Sequence, residues 1–324
     1  MVIARIADEI KKKRVFAITA HVNPEGDALG SELALAIALR QLGKEASVIN
    51  FDPVPRQLRF LPHDKVIKDK KEIEGSFDAL FVLDCGDIER TNLFKDAPPS
   101  VPLVINIDHH LTNKKFGHIN WVEESAAATG ELIYYLIERL GLRITPDIAI
   151  CLYTTLLTET GNFNYSNTSS KVLRIAADLV EAGADPWKIA ISLGENSPER
   201  LRLLGELLIN IEKSRDGKIA WFTITNELFE RTKTSADDTE NLINYPRSLV
   251  GVEVALLFRE VSPDSYKISL RSKGAVNVAE IATRFAGGGH KNAAGCLVKG
   301  SLNIVKDLVI GAVESVISSG ICKD

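Results

Sequence analysis

Apolar and polar positions divide the chain into two differently patterned halves. Residues 15–20, Val-Phe-Ala-Ile-Thr-Ala, form a short apolar run between polar flanks, which predicts a buried strand. A polar turn at 21–26 follows. Residues 28–42 then carry apolar side chains at helical spacing and stop at Gly43, a residue suited to a left-handed helix end. Strands are expected at 46–51, 77–83 and 103–107. Helices are expected at 126–140, closed by Gly141, and at 146–157, opened by Pro146. Strands alternating with helices predict a parallel sheet with helices on both faces.

Further helices are expected at 169–182, 186–193 and 198–213. The pattern changes after the turn signal Asp216-Gly217. Strands are read at 218–225, 252–260 and 266–271, the last two joined by a hairpin turn at Pro263-Asp264, with helices at 276–285 and 303–318. The fold class is therefore α/β. A parallel-sheet domain (1–190) is joined by a helical connector (191–215) to a smaller α/β domain (216–324).

Composition agrees with a folded, two-domain protein: 324 residues, 45% hydrophobic and 25% charged. No apolar run is long enough to span a bilayer, and residues 1–14 alternate apolar and charged positions rather than forming a signal-peptide core. Cys85, Cys151, Cys296 and Cys322 include no Cys-x-x-Cys pair, which fits incidental thiols in a reducing compartment. A cytoplasmic protein without a membrane partner is expected. The formal net charge of −4 argues against a surface that tracks long nucleic acid, so any nucleic-acid substrate should be short.

Three of the expected strands end in polar clusters of one chemical type. These are His21-Val-Asn-Pro-Glu25-Gly-Asp27, then Asp84, then Asp108-His109-His110. A further acid, Glu159, ends a helix. In open α/β sheets ligands bind outside the carboxyl ends of the strands, where these groups would converge. Taken singly, each has an ordinary explanation: Asp27 before an apolar helix is a good N-cap, and a lone histidine is more often a hydrogen-bonded surface group. Together they place several carboxylates and two or three imidazoles in one site, a density of negative charge that needs divalent cations. Mixed carboxylate and imidazole donors suit manganese, and also zinc, iron or cobalt. Paired metals are the recurring device for phosphoryl displacement.

The segments His21-x-x-Pro-Glu-Gly-Asp-Ala-x-Gly-Ser, Val82-Leu-Asp-Cys, Asp108-His-His and Thr158-Glu-Thr-Gly resemble, in order, the motifs of the DHH phosphoesterase family. Ser269-Leu-Arg-Ser272 and Gly287-Gly-Gly-His-Lys-Asn-Ala-Ala-Gly295 resemble its DHH-associated C-terminal domain. Within the family the chain is similar to the bifunctional oligoribonucleases, or nanoRNases. The resemblance implies hydrolysis of short RNA or dinucleotides and of adenosine 3′,5′-bisphosphate, with two Mn2+ ions per chain, Mg2+, Co2+ or another divalent ion being alternatives. It implies that His21, Glu25 and Asp84 hold one ion and that Asp27, Asp84, His109 and Glu159 hold the other. It further implies that His110 contacts the scissile phosphate and that Asp108 orients the histidines. Substrate would be bound by Arg271, Ser272, Gly287, Gly288, Gly289 and His290, and the chain would form a homodimer. The family usually has Asp at the positions of Glu25 and Glu159, which bears on metal preference. Two other readings stay open: a linear- or cyclic-dinucleotide phosphodiesterase, and a nucleotide-binding regulator without turnover. The glycine run also has a reading of its own, since successive backbone N–H groups of glycines can cradle an anion.

Overall fold

The computed structural model describes residues 1–63, 76–94 and 101–318. Cys322 lies outside them. The chain divides into two compact units, Met1–Glu195 and Asn196–Asp324.

In the first unit, α1 (Val2–Lys12), β1 (Val15–Thr19), α2 (Gly26–Gln41), β2 (Glu45–Val48), β3 (Ala79–Leu83), β4 (Val104–Asp108) and β5 (Ile119–Val122) are followed by four helices. These are α3 (Thr129–Arg139), α4 (Pro146–Glu159), α5 (Ser170–Glu181) and α6 (Pro186–Gly194). The five strands are all parallel, in the order β2-β1-β3-β4-β5. The order reverses between β1 and β3, so their carboxyl ends open a crevice of the kind that binds ligands in such sheets. One face of the sheet, carrying Phe16, Ile18, Phe81, Leu83, Ile105 and Ile107, packs against residues of α1 to α4 in one core. The opposite face, with Ala17, Leu80, Val82 and Val104, is covered among the described residues by Phe77, Leu93, Phe94, Val101 and Phe116.

In this unit the sequence pattern does not announce α1 or β5. Helix α1 buries Ile6, Ala7 and Ile10, a helical stripe only three residues long. Strand β5 is a four-residue edge strand of which only Ile119 is fully buried, so it lacks a continuous apolar run.

Close packing of α2, α3 and α4 sets the site. A Cβ on Gly30 would stand 2.6 Å from Thr155 Cγ2 and 2.7 Å from the Cys151 carbonyl oxygen, and a Cβ on Gly130 would collide with the same threonine. Glycine at these positions lets three helices meet at Thr155. That approach brings the start of α2, the start of α3 and the end of α4 to one place.

The second unit contains α7 (Pro198–Ile209), β6 (Glu212–Lys213), β7 (Ile219–Ile224), α8 (Asn226–Thr232), α9 (Asn244–Ser248), β8 (Val254–Ser262), β9 (Ser265–Ser272), α10 (Val278–Thr283), β10 (Gly288–His290), β11 (Ala293–Lys299) and α11 (Leu302–Ser318). Its mixed sheet runs β10-β11-β9-β8-β7-β6, with β7 and β8 parallel and the other neighbours antiparallel. One core gathers Val305, Val309 and Val313 of α11 with Leu256, Ile268 and Leu270. The helix expected as a connector buries Leu203 and Leu207 in a second core with Phe222 and Leu257. The glycine run, expected as a loop, is the first strand of a hairpin. Gly288, Gly289 and His290 pair with Gly295, Ala294 and Ala293.

Candidate metal centre

Each donor is placed by the end of an element. His21 follows β1, Asp84 follows β3, and His109 and His110 follow β4, whose last residue is Asp108. Asp27 lies in the first turn of α2 and Glu159 is the last residue of α4. Asp84 has φ of 50°, a left-handed conformation that a side-chain-bearing residue holds only when its surroundings fix it.

One oxygen of Asp27, one of Asp84 and one nitrogen of His109 lie within 4.8 Å of one another. A second such group joins Asp84, Asp108 and His110. His109 Nε2 is 3.6 Å from Asp27 Oδ2 and 3.6 Å from Asp84 Oδ1, and His21 Nε2 is 3.6 Å from Asp84 Oδ2. These gaps are too long for good hydrogen bonds. They are close to the ~3–3.5 Å that separates two donors sharing one ion at bonds of ~2.1 Å. Asp84 thus faces His21 with one oxygen and His109 with the other, as a bridging carboxylate does.

The imidazoles are oriented for ligation. His21 Nδ1 donates to the Val22 carbonyl at 2.7 Å and His109 Nδ1 donates to the Ala126 carbonyl at 3.2 Å. A carbonyl only accepts, so Nδ1 keeps its proton and Nε2, the nitrogen on the side of the acids, is the one that can donate to an ion once its own proton leaves. Asp108 was expected to orient both histidines. It meets His110, whose Nδ1 donates to its Oδ1 at 2.7 Å, whereas His109 is held by the Ala126 backbone. The other Asp108 oxygen accepts from Asn113 Nδ2 at 2.6 Å.

The cap role of Asp27 is real but belongs to another helix. Its oxygens accept the backbone N–H of Thr129 at 2.7 Å and of Gly130 at 2.9 Å, the first two residues of α3. The positive end of that helix supports the buried carboxylate. Thr129 also donates from Oγ1 to Asp84 Oδ1 at 3.2 Å. Thr129, Gly130, Asn113 and Ala126 were not singled out in the sequence. A Thr-Gly pair opening an apolar helix is the only local signal that any of them carries.

The electrostatics are those of carboxylates and imidazoles buried close together. Burial raises Asp27 to about 7, with the Asp84 charge adding to the effect and His109 and the α3 N–H groups opposing it. Burial likewise raises Glu159 to about 8, with Asp27, Asp84 and Glu25 pushing the same way. Burial alone would lower His21 and His109, but Asp84 beside the first, and Asp27 and Asp84 beside the second, raise both to about 9. Asp84, buried among three imidazoles, is held below the ordinary carboxylate range. Glu159 feels the cluster without entering its tight groups, and Glu25 is exposed at the residue before α2.

In the second unit Arg271 lies on β9 opposite Ala293 and donates from Nη1 to the Leu270 carbonyl at 3.1 Å. Ser272, expected to touch substrate, is buried and donates to Asn292 Oδ1 at 3.0 Å, which ties β9 to the hairpin turn. Gly287 and Gly289 face the neighbouring strand too closely for any Cβ, while a Cβ on Gly288 would meet nothing within 4 Å.

Residues 15–156 match the DHH family, N-terminal domain, and residues 217–318 match the DHHA1 domain. The Thermus thermophilus protein named bifunctional oligoribonuclease and PAP phosphatase NrnA is 39% identical over 285 residues. The match covers 87% of this chain and 84% of that protein. Among solved structures, an exopolyphosphatase-related protein from Bacteroides fragilis superposes with a TM-score of 0.90 at 29% identity, covering 98% of this chain and 97% of that one. RecJ from Thermus thermophilus, crystallised in complex with Mn2+, shares the fold at 15% identity and a TM-score of 0.54, covering 97% of this chain and 54% of its own. By these matches the chain belongs to the DHH family, with a DHHA1 domain in its second half.

Proposed function

We propose that this protein is a two-metal phosphoesterase that hydrolyses short oligoribonucleotides and removes phosphate from PAP. The observation that carries the reading is the buried Asp27–Asp84–His109 group, with donor atoms within 4.8 Å of one another. Support comes from the 39% identity to a protein named for those two activities.

The donor set fits a pair of divalent cations. His21, Glu25 and Asp84 would hold one, and Asp27, Asp84, His109 and Glu159 the other, with Asp84 shared. Mn2+ is favoured because carboxylates outnumber imidazoles, and the RecJ of similar fold was crystallised with it. Bound there, the ions lower the pKa of a coordinated water and neutralise phosphate charge.

The protein's own groups do the rest. Asp108 accepts a hydrogen bond from His110 Nδ1 and so fixes the ring's tautomer, in which Nε2 would be the atom to meet a phosphate oxygen. Thr129 and the α3 N–H groups hold Asp27 and Asp84 in place, so that no ligand has to reorganise as charge builds. In the second unit, Arg271 and His290, beside the backbone of Gly288, would bind a phosphate or terminal base.

The test is a hydrolysis assay with added Mn2+ on a linear dinucleotide, a cyclic dinucleotide, adenosine 3′,5′-bisphosphate and a long RNA. Turnover of the linear dinucleotide and of the bisphosphate is expected. Preference for long RNA, or no turnover of any of the four, would overturn the reading.

A further inference from the structure

We infer that Glu32 and Asn50, neither of them a ligand, position His21 for metal binding. The inference rests on the two-metal reading above. Glu32 lies on α2 and is 0% exposed. Its Oε2 accepts from Asn50 Nδ2 at 2.7 Å. Its Oε1 is buried and has no hydrogen-bond partner among the described residues. A fully buried carboxyl with one unsatisfied oxygen is costly, and leucine would fill the place without that cost. What the acid does is fix the amide of Asn50.

Asn50 follows β2, and its Oδ1 accepts from the Ala20 N–H at 3.3 Å and from Thr19 Oγ1 at 3.4 Å. Ala20 is the residue before His21. Two more contacts hold the same stretch. Asp52 accepts the Asn23 N–H at 2.7 Å, and the Arg90 carbonyl accepts the Val22 N–H at 2.8 Å. Asn23 has φ of 54°, a left-handed turn conformation that asparagine adopts readily.

The direction of His21 depends directly on this backbone, because the acceptor of its Nδ1 proton is the carbonyl of the adjoining residue, Val22. If residues 20–22 shift, the tautomer and the aim of Nε2 toward Asp84 are lost together. Glu32 therefore acts on the ligand through Asn50 and Ala20. The burial that raises Glu32 to about 8 agrees with a neutral group serving as a hydrogen-bond acceptor rather than as a charge.

The experiment is calorimetric titration of Mn2+ into the metal-free full-length chain, for the parent and for Glu32→Leu, Glu32→Gln and Asn50→Ala. The parent should bind two ions. Glu32→Leu and Asn50→Ala should weaken one of the two sites about ten- to a hundredfold and leave the other unchanged, the range found when partners behind a metal ligand are removed. Glu32→Gln keeps an acceptor for Asn50 and should bind like the parent. The double variant Glu32→Leu/Asn50→Ala should be no weaker than either single one, since both break the same chain. If Glu32→Leu does not fold, Asn50→Ala carries the test. Parent-like constants in Asn50→Ala or in a folded Glu32→Leu, even with a lowered melting temperature, would reduce the pair to a structural role. A Gln variant as weak as Leu would overturn the hydrogen-bond mechanism. A parent that binds no Mn2+ would instead overturn the two-metal reading itself.

Discussion

His110 donates from Nδ1 to Asp108 Oδ1 at 2.7 Å, and this contact fixes which ring nitrogen carries the proton. Asp108 is 0% exposed and its second oxygen is taken by Asn113 Nδ2 at 2.6 Å, so the carboxylate cannot rotate away. Asp108→Asn keeps the shape but replaces one acceptor by a donor. Either Asn113 or His110 then faces a donor, and the imidazole loses its fixed tautomer. The expected result is a fall in kcat of about 10² with metal content unchanged, at the low end of what a misoriented catalytic imidazole costs. Kinetics together with metal analysis checks it; a variant with parental kcat would remove Asp108 from the machinery.

Metal uptake should release protons. In the metal-free state His21 and His109 are raised to about 9 and Glu159 to about 8, so near pH 7.5 these groups hold protons that ligation must displace. The sign follows directly: affinity for the divalent ion rises as pH rises from about 6 to 9, because fewer protons remain to be expelled. Calorimetry at pH 7.5 in buffers of different ionisation enthalpy should show release of about one proton or more per ion. Heats that do not depend on the buffer would contradict the proton inventory of the site.

Glu159 and Asp84 should differ in what their loss removes. Asp84 faces His21 with one oxygen and His109 with the other, so Asp84→Ala should abolish binding at both sites and nearly all turnover. Glu159 lies at the end of α4 and interacts by charge with Asp27, His109 and Asp84. Glu159→Ala should reduce occupancy at one site, and Glu159→Asp should retain it. Metal-to-protein ratios after dialysis decide the matter: two ions in Glu159→Ala would make this glutamate a bystander.

Local pattern made much of the fold legible, because apolar runs and helix-ending glycines act within a few residues. Gly43 and Gly141 do adopt φ of 70° and 68° at the ends of α2 and α3. The donors could be read as a group because β1, β3 and β4 all end in acids or histidines. The supporting contacts are of another kind. Asp27 reads as the cap of its own helix, yet it serves Thr129 and Gly130, more than a hundred positions away. Asn50 serves Ala20 thirty positions back. No periodicity reports such pairings, since they arise only when α2 and α3 pack together and when β1 and β2 align. The glycine hairpin was missed for a related reason: glycine has no strand preference, and β10 exists because β11 pairs with it.

That hairpin separates structure from binding at two adjacent glycines. Gly289 has φ of 142°, and a Cβ there would stand 2.6 Å from Ala294 Cα. Gly289→Ala therefore combines backbone strain with a collision against β11, and should destabilise the second unit by about 1–3 kcal/mol. A Cβ on Gly288 would meet nothing within 4 Å, so Gly288→Ala should leave the melting temperature nearly unchanged. If the bare backbone at Gly288 is where a phosphate approaches, its added methyl should raise KM for a dinucleotide while kcat and metal content stay at the parental values. Melting curves for both variants, read beside KM and kcat for Gly288→Ala, make the comparison. An unaltered KM in Gly288→Ala would mean that the open side of the hairpin is not where substrate lies. A stable Gly289→Ala would mean that the strand can yield at Ala294, and the hairpin could then not serve as a rigid cradle.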